Sequence, residues 1–232
     1  LARRAGCPVW IGRERAEAAR QLLMFHPQVD VLIADDGLQH LALARDIELV
    51  VVDAARGFGN GRLLPAGPLR EPLSRLATVD AMVINGQRDL PISGAVPRYA
   101  MRISGTRFVN LARPQQGISA AQLIAQLAGD VPHAIAGIGH PDRFFDQLAV
   151  LGIKAQTHAF ADHHAYVESD LPAGTVLMTE KDAVKCAAIG QRVGRDDLWF
   201  LAVDADVAAG LQTLVIDQLN QRKRTRNGPK TA

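Results

Sequence analysis

Val29-Asp30-Val31-Leu32-Ile33-Ala34 runs directly into Asp35-Asp36-Gly37-Leu38-Gln39-His40, and the reading of this stretch decides the fold. A short apolar run closed by carboxylates predicts a buried strand that delivers charge to the end of a sheet. In open α/β folds that end is where ligands bind. Two adjacent acids, a glycine, an amide and an imidazole are too polar for a core. They suit a metal and a phosphorylated ligand.

Further apolar runs repeat the theme. Ile47-Glu48-Leu49-Val50-Val51-Val52 closes on Asp53, and Ala81-Met82-Val83-Ile84 closes on Asn85-Gly86. Runs apolar throughout, rather than alternating, predict a mostly parallel sheet covered on both faces. Pro8-Val9-Trp10-Ile11 reads as a short strand, and Arg15 to His26 carries Ala18, Ala19, Leu22 and Leu23 at helical spacing before Pro27. Residues 98–103 and 107–111, split by Ser104-Gly105-Thr106, read as a hairpin. Beyond them the pattern is again α/β: strand 133–137, helix 141–151, strands 154–159 and 174–178, helix 180–188, strand 198–203 and helix 206–220. The expected organisation is a core domain over 1–112, a smaller α/β domain over 113–220 and a disordered basic tail over 221–232.

Composition bounds the chemistry. The 232 residues are 48% hydrophobic with a formal net charge of +2, ordinary for a globular protein with a real core. Arg far outnumbers Lys, which suits bidentate gripping of phosphate and carboxylate but equally follows from a GC-rich genome. Cys7 and Cys186 have no metal-type spacing and read as reduced thiols. No run of eighteen apolar residues predicts a membrane span. Two tyrosines and two tryptophans, without a basic stripe interleaved with aromatics, argue against nucleic acid. The basic tail is a solvated terminus or a contact for an anionic membrane. The chain opens Leu1-Ala2-Arg3-Arg4 without an initiator methionine and reads as cut from something longer.

Several groups could carry chemistry. Asp35-Asp36 has the look of the acidic strand-end position where an Asp holds Mg²⁺ against nucleotide phosphates. Adjacent carboxylates repel unless a cation or proton lies between them. A P-loop enzyme also needs G-x-x-x-x-G-K-[ST]. None of the five lysines follows a glycine, and Gly57-Phe58-Gly59-Asn60-Gly61 leads to Arg62, so that loop is not among these residues. Residues 56–72 form a long Gly- and Pro-rich segment with three arginines, a length more often functional than not. Gly137-Ile138-Gly139-His140-Pro141 sits at a strand-to-helix turn, where backbone N–H groups favour anions. Asp162-His163-His164 places an acid beside an imidazole, the arrangement of a general base or its assistant. Thr179 with Asp182 is a helix cap, read as structural.

As an ordered set, residues 34–40 with Leu43-Ala44-Arg45-Asp46, residues 56–72, residues 137–145, Asp162-His163-His164 and residues 178–186 resemble tetraacyldisaccharide 4′-kinase, the lipid A 4′-kinase family of Gram-negative bacteria. The resemblance implies a P-loop α/β core joined to a smaller α/β domain, with the active site in the cleft between them. It implies transfer of the γ-phosphoryl of ATP, with Mg²⁺, to the 4′-hydroxyl of a tetraacyldisaccharide 1-phosphate at the cytoplasmic face of the inner membrane. Asp35 and Asp36 would serve Mg²⁺ and ATP, and Gln39 and His40 would lie near the sugar. His163 would deprotonate the attacking hydroxyl, paired in the family with the Asp of a Gly-Asp-Glu-Pro stretch, and Asp162 is the acid next to it in this chain. Arg56, Asn60, Arg13 and Arg15 would meet the substrate's phosphate and sugar groups. The family's membrane-contacting helix, Walker A loop and Gly-Asp-Glu-Pro stretch would all precede Leu1, so the expectation is an inactive fragment. Two other readings stay open: a metal-dependent DHH-type phosphoesterase, from Asp162-His163-His164 with Asp35, Asp36 and Asp53, and a non-catalytic remnant that binds lipid or a partner.

Overall fold

The computed structural model describes residues 2, 4–87, 90 and 95–227, in two compact units: 1–101 with 207–232, and 102–206. The expected α/β class with a mostly parallel sheet is what forms. The expected junction at 112/113 falls instead at 101/102, inside a strand, and the chain returns to the first unit after residue 206.

In the first unit, α1 (Arg15–Phe25) forms where the apolar spacing places it, yet none of its residues is buried. Trp10 stacks on Phe25 with ring centroids 5.4 Å apart, and residues 8–11 are irregular rather than a strand. The larger correction concerns residues 29–34. They form no strand, and Ile33 is 93% exposed. A strand exists through ladder hydrogen bonds to a neighbour, and among the described residues none pairs with this run. Three strands do pair, all parallel: β1 (Leu49–Asp53), β2 (Ala81–Asn85) and the first part of β3 (Arg98–Asn110), with Leu49 opposite Ala81 and Met82 opposite Arg98. β2 lies in the middle, which is why Ala81, Met82 and Val83 are buried while Val51 on β1 is 63% exposed.

β3 replaces the expected hairpin with one continuous strand. Gly105 looked like a turn residue, but it is buried, and a Cβ there would lie 2.6 Å from the Ala202 carbonyl oxygen. The glycine serves close backbone approach, not chain reversal.

In the second unit the rest of β3 pairs antiparallel with β4 (Gly117–Ser119). The reciprocal cap of Ser119 and Gln122 then starts α2 (Ala120–Leu127). β5 (His133–Ala136), α3 (Pro141–Val150), β6 (Gln156–Ala159), β7 (Val176–Thr179), α4 (Glu180–Arg192) and β8 (Leu198–Val207) follow, with strand order β3-β8-β7-β5-β6. β5 runs parallel to both β6 and β7, and β7 parallel to β8. One face buries Phe108, Leu123, Leu148, Leu177 and Leu201, the other Ile135, Met178, Cys186 and Leu198. Both faces are covered, as apolar runs require. β5, β6 and β7 all end on one edge, which gathers residues 137–140, 160–164 and the start of α4.

The last helix, α5 (Ala209–Asn227), runs on through most of the stretch expected to be a disordered tail. Its Gln, Arg, Lys and Asn residues are adequate helix formers next to an established helix. Residues 228–232 lie outside the described residues. No helix among those described is long and apolar enough to cross a membrane.

Candidate active site

The Asp35–His40 stretch is a pair of turns rather than a strand end. Both carboxylates are exposed, and Asp36 has φ +51°, a left-handed conformation that Asp tolerates better than most residues. A Cβ on Gly37 would lie 2.8 Å from Ala34 Cβ, so the tight turn after the acids excludes a side chain.

Arg45 holds this turn in place. Its guanidinium donates to the carbonyl oxygens of Leu38 at 2.7 Å and His40 at 3.1 Å, and to Glu48 Oε1 at 2.8 Å. Glu48 also accepts from both Arg75 Nη2 contacts, at 2.7 and 2.8 Å, and this hydrogen-bonded carboxylate, against the opposing effect of burial, holds Arg75 above its ordinary pKa range. Arg75 Nε meets Glu71 Oε2 at 3.1 Å, and Glu71 Oε1 accepts from Gln39 Nε2 at 2.9 Å. The network therefore ties Gln39 and the backbone of residues 38–40 to the start of β1. Sequence reasoning assigned no role to Arg45, Glu48, Glu71 or Arg75. Their spacing carries no periodic signal, and only Arg45 and Glu71 stood among the quoted motif residues.

The other residues named from the sequence sit apart from this turn or serve their own loop. Asn60 donates to the Ala66 carbonyl oxygen at 2.8 Å and accepts from Arg62 N at 3.1 Å, so its amide staples the Gly/Pro-rich loop. Arg56 is exposed in that loop. Arg13 and Arg15 stand at the amino end of α1 and make no hydrogen bond to the Asp35–His40 turn among the described residues.

In the second unit, Asp162 and His163 lie at the carboxyl edge of β6. His163 has φ +62°, and its side chain is 77% exposed. Asp162 Oδ1 accepts from Lys181 Nζ and from the His163 backbone N–H, each at 3.0 Å, while Oδ2 stands 3.7 Å from His163 Nε2. That last separation is too long for a hydrogen bond. Lys181 first, and the His163 charge after it, hold the Asp162 carboxyl below its ordinary range.

His164 is engaged elsewhere. It meets Asp170 Oδ2 at 2.9 Å and stacks on Phe160 with centroids 4.6 Å apart. Asp170 is held below the usual carboxylate range first by the Val167 N–H and then by His164. Of the two adjacent histidines, His163 is the one presented to solvent.

Beneath them lies Asp182, fully buried. Oδ2 accepts from Gly137 N at 3.0 Å and from Thr179 Oγ1 at 2.7 Å, and Lys185 Nζ lies 3.3 Å from Oδ1. The expected cap is present, with Asp182 N donating to Thr179 Oγ1, but the carboxylate also ties α4 to the turn after β5. Gly137 fits because a Cβ would approach Tyr166 Oη to 2.8 Å. Burial above all, with the Asp182 charge second, pushes the Tyr166 hydroxyl well above its ordinary range.

Among the described residues no three His, Cys, Asp or Glu side chains converge to hold a metal. Asp35 and Asp36 nevertheless fit Mg²⁺, which takes one or two carboxylates and completes its shell with phosphate oxygens and water. A surface depression of about 820 Å³ near residues 167–173 and the end of α4 is lined by Arg192 and Arg195. Arg195 is already committed to Asp197 and to the carbonyls of Leu171, Pro172 and Gly174.

Comparison with known proteins places this geometry in context. The family model described as tetraacyldisaccharide-1-P 4′-kinase (LpxK) matches residues 1–220. A tetraacyldisaccharide 4′-kinase of Dechloromonas aromatica is 49% identical over 226 residues, 96% of this chain and 66% of its own length. That of Chromobacterium violaceum is 47% identical, over 94% of this chain and 65% of its own. The crystal structure of an "apo" form LpxK from Aquifex aeolicus in complex with ATP superposes with a TM-score of 0.69 at 26% identity, covering 90% of this chain and 63% of that one. The chain thus spans just under two thirds of the length of these relatives.

Proposed function

The chain belongs to the tetraacyldisaccharide-1-P 4′-kinase family, and on that premise we propose that it takes part in transferring the γ-phosphoryl group of ATP to the 4′-hydroxyl of a tetraacyldisaccharide 1-phosphate, a lipid A precursor. The observation that carries this reading is the exposed Asp35–Asp36 pair on a turn that Arg45 clamps by two backbone carbonyls. Phosphoryl transfer is mostly positioning and charge stabilisation, and exposed carboxylates on a clamped turn suit both.

In this proposal Asp35 and Asp36 hold Mg²⁺, which when bound would neutralise the charge of the ATP phosphates. Gln39, oriented by Glu71, and His40 face the sugar. His163 takes the proton from the attacking 4′-hydroxyl, and Asp162, 3.7 Å from its ring, acts as an electrostatic neighbour rather than a hydrogen-bonded partner. Arg56, Arg13 and Arg15 meet the substrate's phosphate, and Asn60 acts by shaping the loop that carries Arg56. In this reading the enzyme works peripherally at the cytoplasmic face of the inner membrane, where ATP and a substrate with four acyl chains would meet. The 232 residues hold no G-x-x-x-x-G-K-[ST], so the reaction needs phosphate-gripping groups besides those in this chain. The chain alone is expected to turn over no ATP.

The test is transfer of labelled γ-phosphate from ATP to tetraacyldisaccharide 1-phosphate by kinase that includes these residues. His163→Ala is expected to lower kcat by about 10²-fold or more, the range of general-base catalysis, and Asp36→Asn to abolish the dependence on Mg²⁺ together with most activity. Full activity in both variants would overturn the proposal. The DHH-type phosphoesterase reading gains nothing from the structure, since no cluster of three ligands occurs among the described residues.

A further inference from the structure

Asp162 and His163 are neighbours in sequence, yet their side chains do not form a hydrogen-bonded dyad. Asp162 Oδ1 is occupied by two donors, Lys181 Nζ and the His163 N–H, each at 3.0 Å. Oδ2 is left 3.7 Å from His163 Nε2. Lys181 is no free-ranging surface cation at its backbone end. It sits in the first turn of α4, next to Asp182, whose buried carboxylate fixes that turn to Thr179 and Gly137.

We propose that Lys181 is a positioning residue for His163, acting through Asp162: its ammonium holds the carboxylate away from the imidazole and leaves Nε2 without a hydrogen-bond partner among the described residues. The proposal rests on the reading of His163 as the group that accepts the hydroxyl proton. An imidazole can accept a proton only at a ring nitrogen with a free lone pair. A carboxylate closing on Nε2 would require a proton there and would commit that nitrogen as a donor. Lys181 prevents the closure by giving the carboxylate a better partner. Both side chains of the Lys181–Asp162 pair are 46% exposed, so the pair adds little to stability. Its effect is on which ring nitrogen of His163 is available.

The experiment uses the 232-residue chain and reads the ring directly, by the rate at which diethyl pyrocarbonate modifies His163 at neutral pH, located by peptide fragmentation. Lys181→Met frees Asp162 to pair with the ring and is expected to slow modification about threefold, because a carboxylate partner favours the unreactive protonated imidazole. Lys181→Arg, which keeps a donor on Oδ1, is expected to react as wild type. The double variant Asp162→Asn with Lys181→Met is expected to recover the wild-type rate or exceed it. An unchanged rate in Lys181→Met would overturn the proposal. So would a double variant as slow as the single one, since loop loosening rather than the carboxylate would then be responsible. Undiminished phosphoryl transfer in a His163→Ala kinase would instead sink the catalytic reading of His163 while leaving the Lys181 result standing.

Discussion

Replacing Asp182 tests how the second unit holds its putting-together of loops at one sheet edge. The side chain is fully buried and serves Gly137 N–H, the Thr179 hydroxyl and Lys185. Asp182→Ala leaves the Gly137 N–H buried without an acceptor, which costs about 1–3 kcal/mol. The Thr179 hydroxyl loses its acceptor as well. Lys185 keeps a side chain 25% exposed and can turn to water, so its charge does not add a full buried-ion penalty. The expected loss is about 3 kcal/mol, well inside the range for breaking a buried polar network. In a unit of roughly 100 residues that lowers Tm by on the order of 15 °C. Asp182→Asn keeps one acceptor and is expected to cost about half as much. Urea unfolding followed by Trp199 fluorescence, in a Trp10→Phe background so that one reporter remains in the second unit, measures both. A loss below about 1 kcal/mol for the alanine variant, or an asparagine variant no better than alanine, would refute the reasoning; both thresholds follow from the hydrogen-bond costs.

Other expectations follow from the same geometry. Arg45→Gln removes the clamp on the Leu38 and His40 carbonyls and is expected to speed amide exchange of residues 37–41 at least tenfold, as read by hydrogen–deuterium exchange, because opening then breaks fewer bonds. Burial pushes the Cys186 thiol up to about 12, while Cys7 is exposed. At pH 8 a disulfide reagent should therefore titrate one thiol in the folded protein and both in urea. Asp170 is held below its ordinary range in the folded state. Its contribution to stability is thus complete above the unfolded carboxyl value of about 3.9 and is lost as pH falls through the lower folded value. Asp170→Asn should flatten the acid limb of the unfolding curve below about pH 4 and leave the neutral-pH slope unchanged.

The repeating pattern β5–α3–β6–β7–α4–β8 is legible in the sequence within two or three residues at most boundaries. Each apolar run is short, bounded by Gly, Pro or a capping residue, and stabilised by contacts that its own spacing encodes. The acids and histidines proposed for the site were singled out by residue type, which declares their chemistry but not their partners. Tertiary structure decided the rest. Residues 29–34 have the composition of a strand, but among the described residues none pairs with them, and a strand is a property of two segments, not one. Gly105 marks a close approach to Ala202 that residues 97 positions apart in the chain cannot signal. Only the folded chain shows that His164 is bound to Asp170 while His163 is presented, or that Lys181 rather than the His163 ring is the side-chain partner of Asp162. Sequence spacing encodes which residues share a helix face or a sheet face. Which carboxylate meets which cation depends on side chains brought together from separate elements, and that information exists only once the sheet has formed.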